Sequence, residues 1–358
     1  MHKVGIRAIW DLHDGRGGRL PARLVELLRA LHAGGSLAAA CRGVGLSYRY
    51  GWGLLREGQS YFGAPLVRAM RGRGARLTPL GERLVWADQR IAARLSPAFE
   101  SLATELEAEL QRHLSLRVAA VRVHASHGFA VEALRRALAA DEQPLDLKYR
   151  SPDDALSALR TGACDFAGLH LPVGELEAPL AAHYRDRLDL DRDRVVHLAM
   201  RRQGLVVAPG NPKRLRALAD LVDPGVRFIH RQPGSGSRLL LEEMLAREGI
   251  AVRELRGCDV EELTHAAVAA YVASGLADAG FALEPPARRY GLDFVPMVTE
   301  HYFLLCDVDT LDDPGAAALL ALLRDGGFRR EIGLLPGYDP SWCGTVQTLP
   351  EAFASLRA

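Results

Sequence analysis

The sequence predicts an α/β protein with an all-α-type head, and three observations predict it. Sixteen Lys and Arg stand against six Asp and Glu over residues 1–94, leaving 29 against 38 in the rest. Three short helical patterns open the basic part, and alternating strand and helix patterns fill the acidic remainder. A basic segment joined to an acidic body implies two parts with different partners. At 358 residues the chain has room for two or three domains.

In the basic part, Leu24, Leu27, Leu28 and Leu31 carry the spacing of one apolar helix face. Ser36 follows Gly34-Gly35 and can cap a second helix rich in alanine; Gly45 then turns the chain and Ser47 can cap a third. This is a helix-turn-helix. Its third helix opens on Ser47, Tyr48, Arg49 and Tyr50, with Trp52 and Arg56 further along, residue types that reach phosphates and base edges in a major groove. Next, "PLVRAM" and "ARLT" read as a hairpin around Gly72 and Gly74. Arg68, Arg71, Arg73 and Arg76 crowd it as in a wing that touches the DNA backbone. The expected domain spans residues 1–78. Over 79–113 a long apolar stripe (Leu80, Leu84, Ile91, Leu95, Leu102, Leu106, Leu110) predicts a linker helix, with Pro97 as a kink, that pairs with a second copy or packs on its own body.

The body, residues 114–358, begins with strand and helix patterns in βαβαβ order, which predicts a parallel sheet with ligands at the strands' C-terminal ends. Those ends hold Ser126, His127, Arg150, Ser151, Gly168 and His170. A second α/β unit contains the run "HRQPGSGSR", where Gly234, Ser235, Gly236 and Ser237 precede a helix predicted to begin near Arg238. Free N–H groups there suit an anion, and Arg231 and Arg238 flank the turn. Which of the two touches a ligand stays open, as does a plain helix-capping turn. Thr264 and His265 at a later helix start, and Glu300 and Tyr302 on the returning segment, complete the candidates.

The run lacks the lysine of a P-loop, and Leu239 stands where a dinucleotide fingerprint needs its third glycine. His124 and His127 lie too near a strand end to converge, and no Cys/His/Glu cluster supports them, so no metal is expected. No G-x-S-x-G elbow or nucleophile–base pair is present, so no catalytic residue is assigned. Five scattered cysteines without a C-x-x-C pair suit a reducing cytoplasm, and no apolar run reaches the ~18 residues of a membrane span.

The run "GSLAAACRGVGLSYRYGW" with "FGAPLVRAMRGRGARLTPLGERL" resembles the winged helix-turn-helix of ModE-type and, more distantly, LysR-type transcriptional regulators. The body resembles the periplasmic-binding-protein-like (PBP-like) domain associated with molybdopterin biosynthesis. The matching runs are "RRQGLVVAPGNPK", "HRQPGSGSRLLLEEML", "EELTHAAVAAYVASGLADAG", "GLDFVPMVTEHYFLL" and "LLPGYD". Against that domain's usual "RQxGSGTR", Ser237 replaces a threonine and keeps the hydroxyl. The resemblance implies a two-lobed type 2 periplasmic-binding-protein-like fold behind a winged head. It implies double-stranded operator DNA and a small anion as partners, no membrane, a homodimer or tetramer, and no bound cofactor. Molybdate, tungstate, a related molybdenum-cofactor species and formate are the expected effectors. The alternatives are a molybdopterin-synthesis enzyme or cofactor-handling protein, and an anion carrier.

Overall fold

The computed structural model describes residues 3–13, 19–70, 74–113 and 120–357. The chain divides into two compact units, one from Arg7 to Leu95 and one carrying Ser96 onward. The division falls inside one long helix, whereas the sequence reading set boundaries at that helix's two ends.

In the smaller unit, β1 (Leu12–His13) and β2 (Arg19–Leu20) pair antiparallel ahead of three helices. The first, α1 (Ala22–Gly34), buries Leu24, Leu27, Leu28 and Leu31 and ends at Gly35 in the left-handed region. Ser36 opens α2 (Leu37–Gly43) by accepting from the Ala39 N–H, and Ser47 opens α3 (Tyr48–Phe62) by accepting from the Tyr50 N–H. Gly51 lets α3 close on α2, since a Cβ there would stand 2.4 Å from Cys41 Sγ. The wing follows: β3 (Val67–Met70) and β4 (Gly74–Leu77) pair antiparallel with Arg68 opposite Arg76. Arg71 and Arg73 lie outside the described residues. The long α4 (Pro79–His113) runs through Pro97 as one helix, with Leu102, Leu106 and Leu110 exposed along it.

The larger unit is built on one mixed sheet. Its first half comprises β5 (Val121–Ala125), α5 (Phe129–Ala140), β6 (Leu145–Tyr149), α6 (Pro152–Arg160), β7 (Phe166–Pro172) and α7 (Glu177–Tyr184). A 15-residue strand, β8 (Asp193–Val207), leads into the second half: β9 (Phe228–Arg231), α8 (Gly236–Arg247), β10 (Gly257–Glu262), α9 (His265–Ala273), β11 (Ala279–Leu283) and α10 (Glu284–Arg289). A second 15-residue strand, β12 (Asp293–Asp307), returns, followed by α11 (Pro314–Arg324), α12 (Gly326–Gly333), β13 (Tyr338–Asp339), β14 (Val346–Thr348) and α13 (Leu349–Ala352).

The strand order is β10-β9-β11-β8-β12-β7-β5-β6, with β13 and β14 also on β8. Within each half the strands β5, β6, β7 and β9, β10, β11 pair parallel, as the βαβ pattern predicts. The two halves join through the antiparallel pair β8 and β12, so the sheet as a whole is mixed. Two long strands that each serve both halves are the architecture of a two-lobed domain with a double-strand hinge. Register shifts at Pro296/Val298 and Tyr302/Phe303 bracket the crossover segment Val298–Tyr302. Buried apolar side chains such as Val123, Leu134, Phe166 and Leu304 fill one lobe's core, and Phe228, Leu240, Leu245 and Phe281 fill the other's.

Candidate anion cleft and nucleic-acid surface

The crossover strands place a buried ion pair near the middle of the sheet. Arg201 on β8 stands opposite Glu300 on β12, and both are almost fully buried. Arg201 donates through Nε to Glu300; His170 Nδ1 and Gln203 Nε2 donate to its other oxygen at 2.9 and 2.8 Å. Burial alone would push the Glu300 carboxyl up, but Arg201 and His170 outweigh it and hold it at about 2. Tyr302 lies 4.2 Å beneath the Arg201 guanidinium and donates its hydroxyl to the Ser126 carbonyl at 3.2 Å. Glu300 and Tyr302 therefore tie the hinge strands to β7 and to the loop after β5.

A second buried arginine stands where β9 ends. Arg231 is 9% exposed; its Nε donates to Gln232 Oε1 and the Glu262 carbonyl, and its Nη2 to the Leu263 carbonyl. Its Nη1 is buried and has no partner among the described residues. Burial and then the charge of Arg201 lower Arg231 to about 10, against the opposing pull of Glu262. A guanidinium with Nε and Nη2 engaged and both N–H groups of Nη1 unpartnered is a poised anion ligand.

His265, the first residue of α9, faces the same place. Its Nδ1 accepts from the Leu283 N–H at 3.2 Å, which in the neutral ring leaves the proton on Nε2. Burial, then Arg231 and Arg201, hold its pKa well below the usual range. His127 joins the group, its ring edge-on to Tyr149 and its pKa lowered to about 4, chiefly by burial and also by Arg231. Thr264 caps α9 by accepting from the Ala267 N–H.

The glycine-serine run takes a more differentiated form than its sequence suggested. Helix α8 begins at Gly236, two residues before the position expected, because Ser235 is the cap and accepts from the Arg238 N–H at 3.2 Å. Gly234 adopts φ 76° in the turn. Gly236 permits a close approach, since a Cβ there would stand 2.2 Å from His170 Nε2. Ser237 is buried in the first turn. Arg238 pairs through Nε with Glu242 one turn along its own helix and lowers His230; its Nη1, like that of Arg231, is buried without a partner among the described residues.

Other expected residues lie at the margin. Ser151 caps α6 and donates to Asp154, Arg150 is exposed, and the Ser126 hydroxyl reaches only the Arg150 carbonyl at 3.5 Å. Gly168 is a packing position, with a Cβ there falling 2.6 Å from Ala125 Cβ. Sequence reasoning missed Arg201, Gln203, Glu262 and Gly128. An arginine inside the apolar run of β8 was the available signal for the first. Gly128 caps α5 without any side-chain hydrogen bond and lies beside Arg201 Nη1.

On the smaller unit, Ser47, Tyr48, Arg49, Tyr50, Trp52 and Arg56 are all exposed along α3; Tyr48 and Tyr50 show 54% and 51% of their surface. Trp52 meets Tyr48 edge to face. Ser36, half-buried, serves as the α2 cap. Arg68 and Arg76, directly opposite and exposed, repel each other in a bare hairpin, and an anion relieves that cost. Among the described residues there is no group of three metal-ligating side chains and no helix long and apolar enough to cross a membrane.

The sequence matches the family described as PBP superfamily domain over residues 135–324. An uncharacterized Bacillus subtilis protein, YvgK, is 30% identical over 208 residues, which cover 58% of this chain and 67% of YvgK. The molybdenum-pterin-binding protein MopB of Rhodobacter capsulatus is 39% identical over 124 residues, 33% of this chain and less than half of MopB, at 46%. Among solved structures, the full-length HypT of Salmonella typhimurium, a hypochlorite-specific LysR-type transcriptional regulator, superposes with a TM-score of 0.43 at 16% identity. That match covers 87% of this chain and 98% of HypT.

Proposed function

Because this chain belongs to the PBP superfamily domain family, we propose that its larger unit senses a small anion and that its smaller unit binds operator DNA under that control. The observation that carries the sensing half is Arg231, a buried guanidinium with one unpartnered nitrogen where the lobes meet. The exposed aromatic and basic face of α3, with the paired wing arginines, supports the DNA half. The effector acts by linkage: it shifts the equilibrium between two arrangements only as far as it binds one of them better. The exposed leucines of α4 suit pairing with a second copy, which sets two reading heads on a two-fold operator.

The likeness to a protein named for molybdenum-pterin binding favours molybdate, tungstate or a related species, with formate as the small carboxylate rival. It equally supports the second reading, a cofactor-handling protein of molybdopterin synthesis. One experiment separates the two: footprinting on DNA upstream of the chain's own gene across a salt series, with each anion added. A protected region whose affinity falls with salt and changes with an anion is the expected result. Turnover of a molybdopterin precursor without any protected DNA would establish the second reading.

A further inference from the structure

We propose that the cleft takes a singly charged anion, a carboxylate or monovalent oxyanion, in preference to a doubly charged one of the same size. This rests on the anion-sensing reading above and decides among its candidates. The formal charges on the cleft floor already cancel: Arg201 faces Glu300, and Arg231 stands in register with Glu262, all four at least nine-tenths buried. The imidazoles of His127 and His265 add no charge near neutrality, since burial and the arginines hold His127 near 4 and His265 lower than usual. His170 is engaged through Nδ1 with Glu300.

A ligand's charge is therefore met by the open Arg231 Nη1, whose formal charge Glu262 offsets, together with neutral donors and helix N-termini. Three helix starts open on this floor: Gly128 beside Arg201, Gly236 against His170, and His265. Each helix end offers about half an elementary charge at most, so the three together meet at most about one and a half negative charges, enough for a monoanion and short of a dianion's two. Desolvation acts in the same direction. Its cost grows with the square of the charge, about fourfold for a dianion, while attraction to fixed donors only doubles. The second charge also faces two buried carboxylates, Glu300 and Glu262.

Perrhenate and tungstate test this, being tetrahedra of nearly the same size that differ by one charge. Calorimetric titration into the full chain at matched ionic strength, with formate alongside, is expected to show perrhenate binding roughly tenfold or more tightly than tungstate. Formate heat without tungstate heat supports the proposal equally. Tungstate binding as tightly as perrhenate overturns the charge assignment and leaves anion sensing intact; heat from none of the three overturns both. Glu262→Gln removes one negative charge at nearly constant shape. It is expected to move the perrhenate-to-tungstate ratio about tenfold toward tungstate; an unmoved ratio in a variant that melts like the parent counts against the proposal.

Discussion

The head and the cleft both bind through arginine, and they use it in opposite ways. Arg49, Arg56, Arg68 and Arg76 are exposed, so each keeps its hydration and acts as one of many contacts that salt can screen. Arg201 and Arg231 are buried, so each needs partners for its donors, and Arg231 Nη1 has none among the described residues. Graded losses are the signature of the first arrangement and near-complete losses of the second.

The largest expected effect is therefore at Arg231. Arg231→Gln should weaken anion binding by roughly a hundredfold or more, in line with loss of a buried charged hydrogen bond, while the DNA footprint without effector persists. Anion heat retained within about threefold of the parent would break the contrast at its strongest point.

Acid should strike the cleft next. His127 titrates near 4 in the folded chain against 6.5 ordinarily, so only the unfolded chain gains its proton as the pH falls below about 6.5. That depressed histidine lowers stability by roughly 2 kcal/mol between pH 7 and pH 5, and His230, also lowered to about 4, acts with the same sign. Glu300 contributes in a lower window: its stabilisation is present above its ordinary 4.5 and is lost as the pH falls toward 2. Urea midpoints at pH 7 and pH 5 measure the first effect, and equal midpoints would mean that these rings are charged or solvated when folded. At the surface, Arg49→Ala should cost about tenfold in DNA affinity and leave anion titrations unchanged. An equal loss in both assays would place Arg49 in the folding of the head and not at its DNA surface.

The same contrast explains what could be read from sequence. The leucine stripe of α1 and the caps Ser36 and Ser47 are local signals, fixed by helix periodicity and by one hydroxyl satisfying one N–H, and they stand in the structure where the pattern set them. The strands of each lobe were equally legible, being runs of apolar residues between turns. What was not legible is the pairing of distant residues. Arg201 and Glu300 lie 99 positions apart and meet only because β8 and β12 are neighbours in register. Nor does spacing distinguish Arg231 from Arg238. The alternation of side chains on β9 sends Arg231 toward α9, and Arg238 belongs to α8, where it finds Glu242.

The smallest effect separates two serines that the sequence treated alike. Both Ser235 and Ser237 were expected to grip the ligand, yet Ser235 spends its oxygen on the Arg238 N–H as the helix cap, and Ser237 is buried inside the first turn without a capping role. Ser235→Ala then removes a helix cap, which costs about 1 kcal/mol of stability, with anion affinity changed only as far as the first turn loosens. Ser237→Ala removes a neutral donor without touching the cap and should lower anion affinity by about fivefold at unchanged stability. Calorimetry and urea midpoints on the two variants give four numbers. A reversed pattern, affinity lost at Ser235 and stability at Ser237, would return the ligand to the turn itself and away from the inner surface where Arg231 and His265 stand.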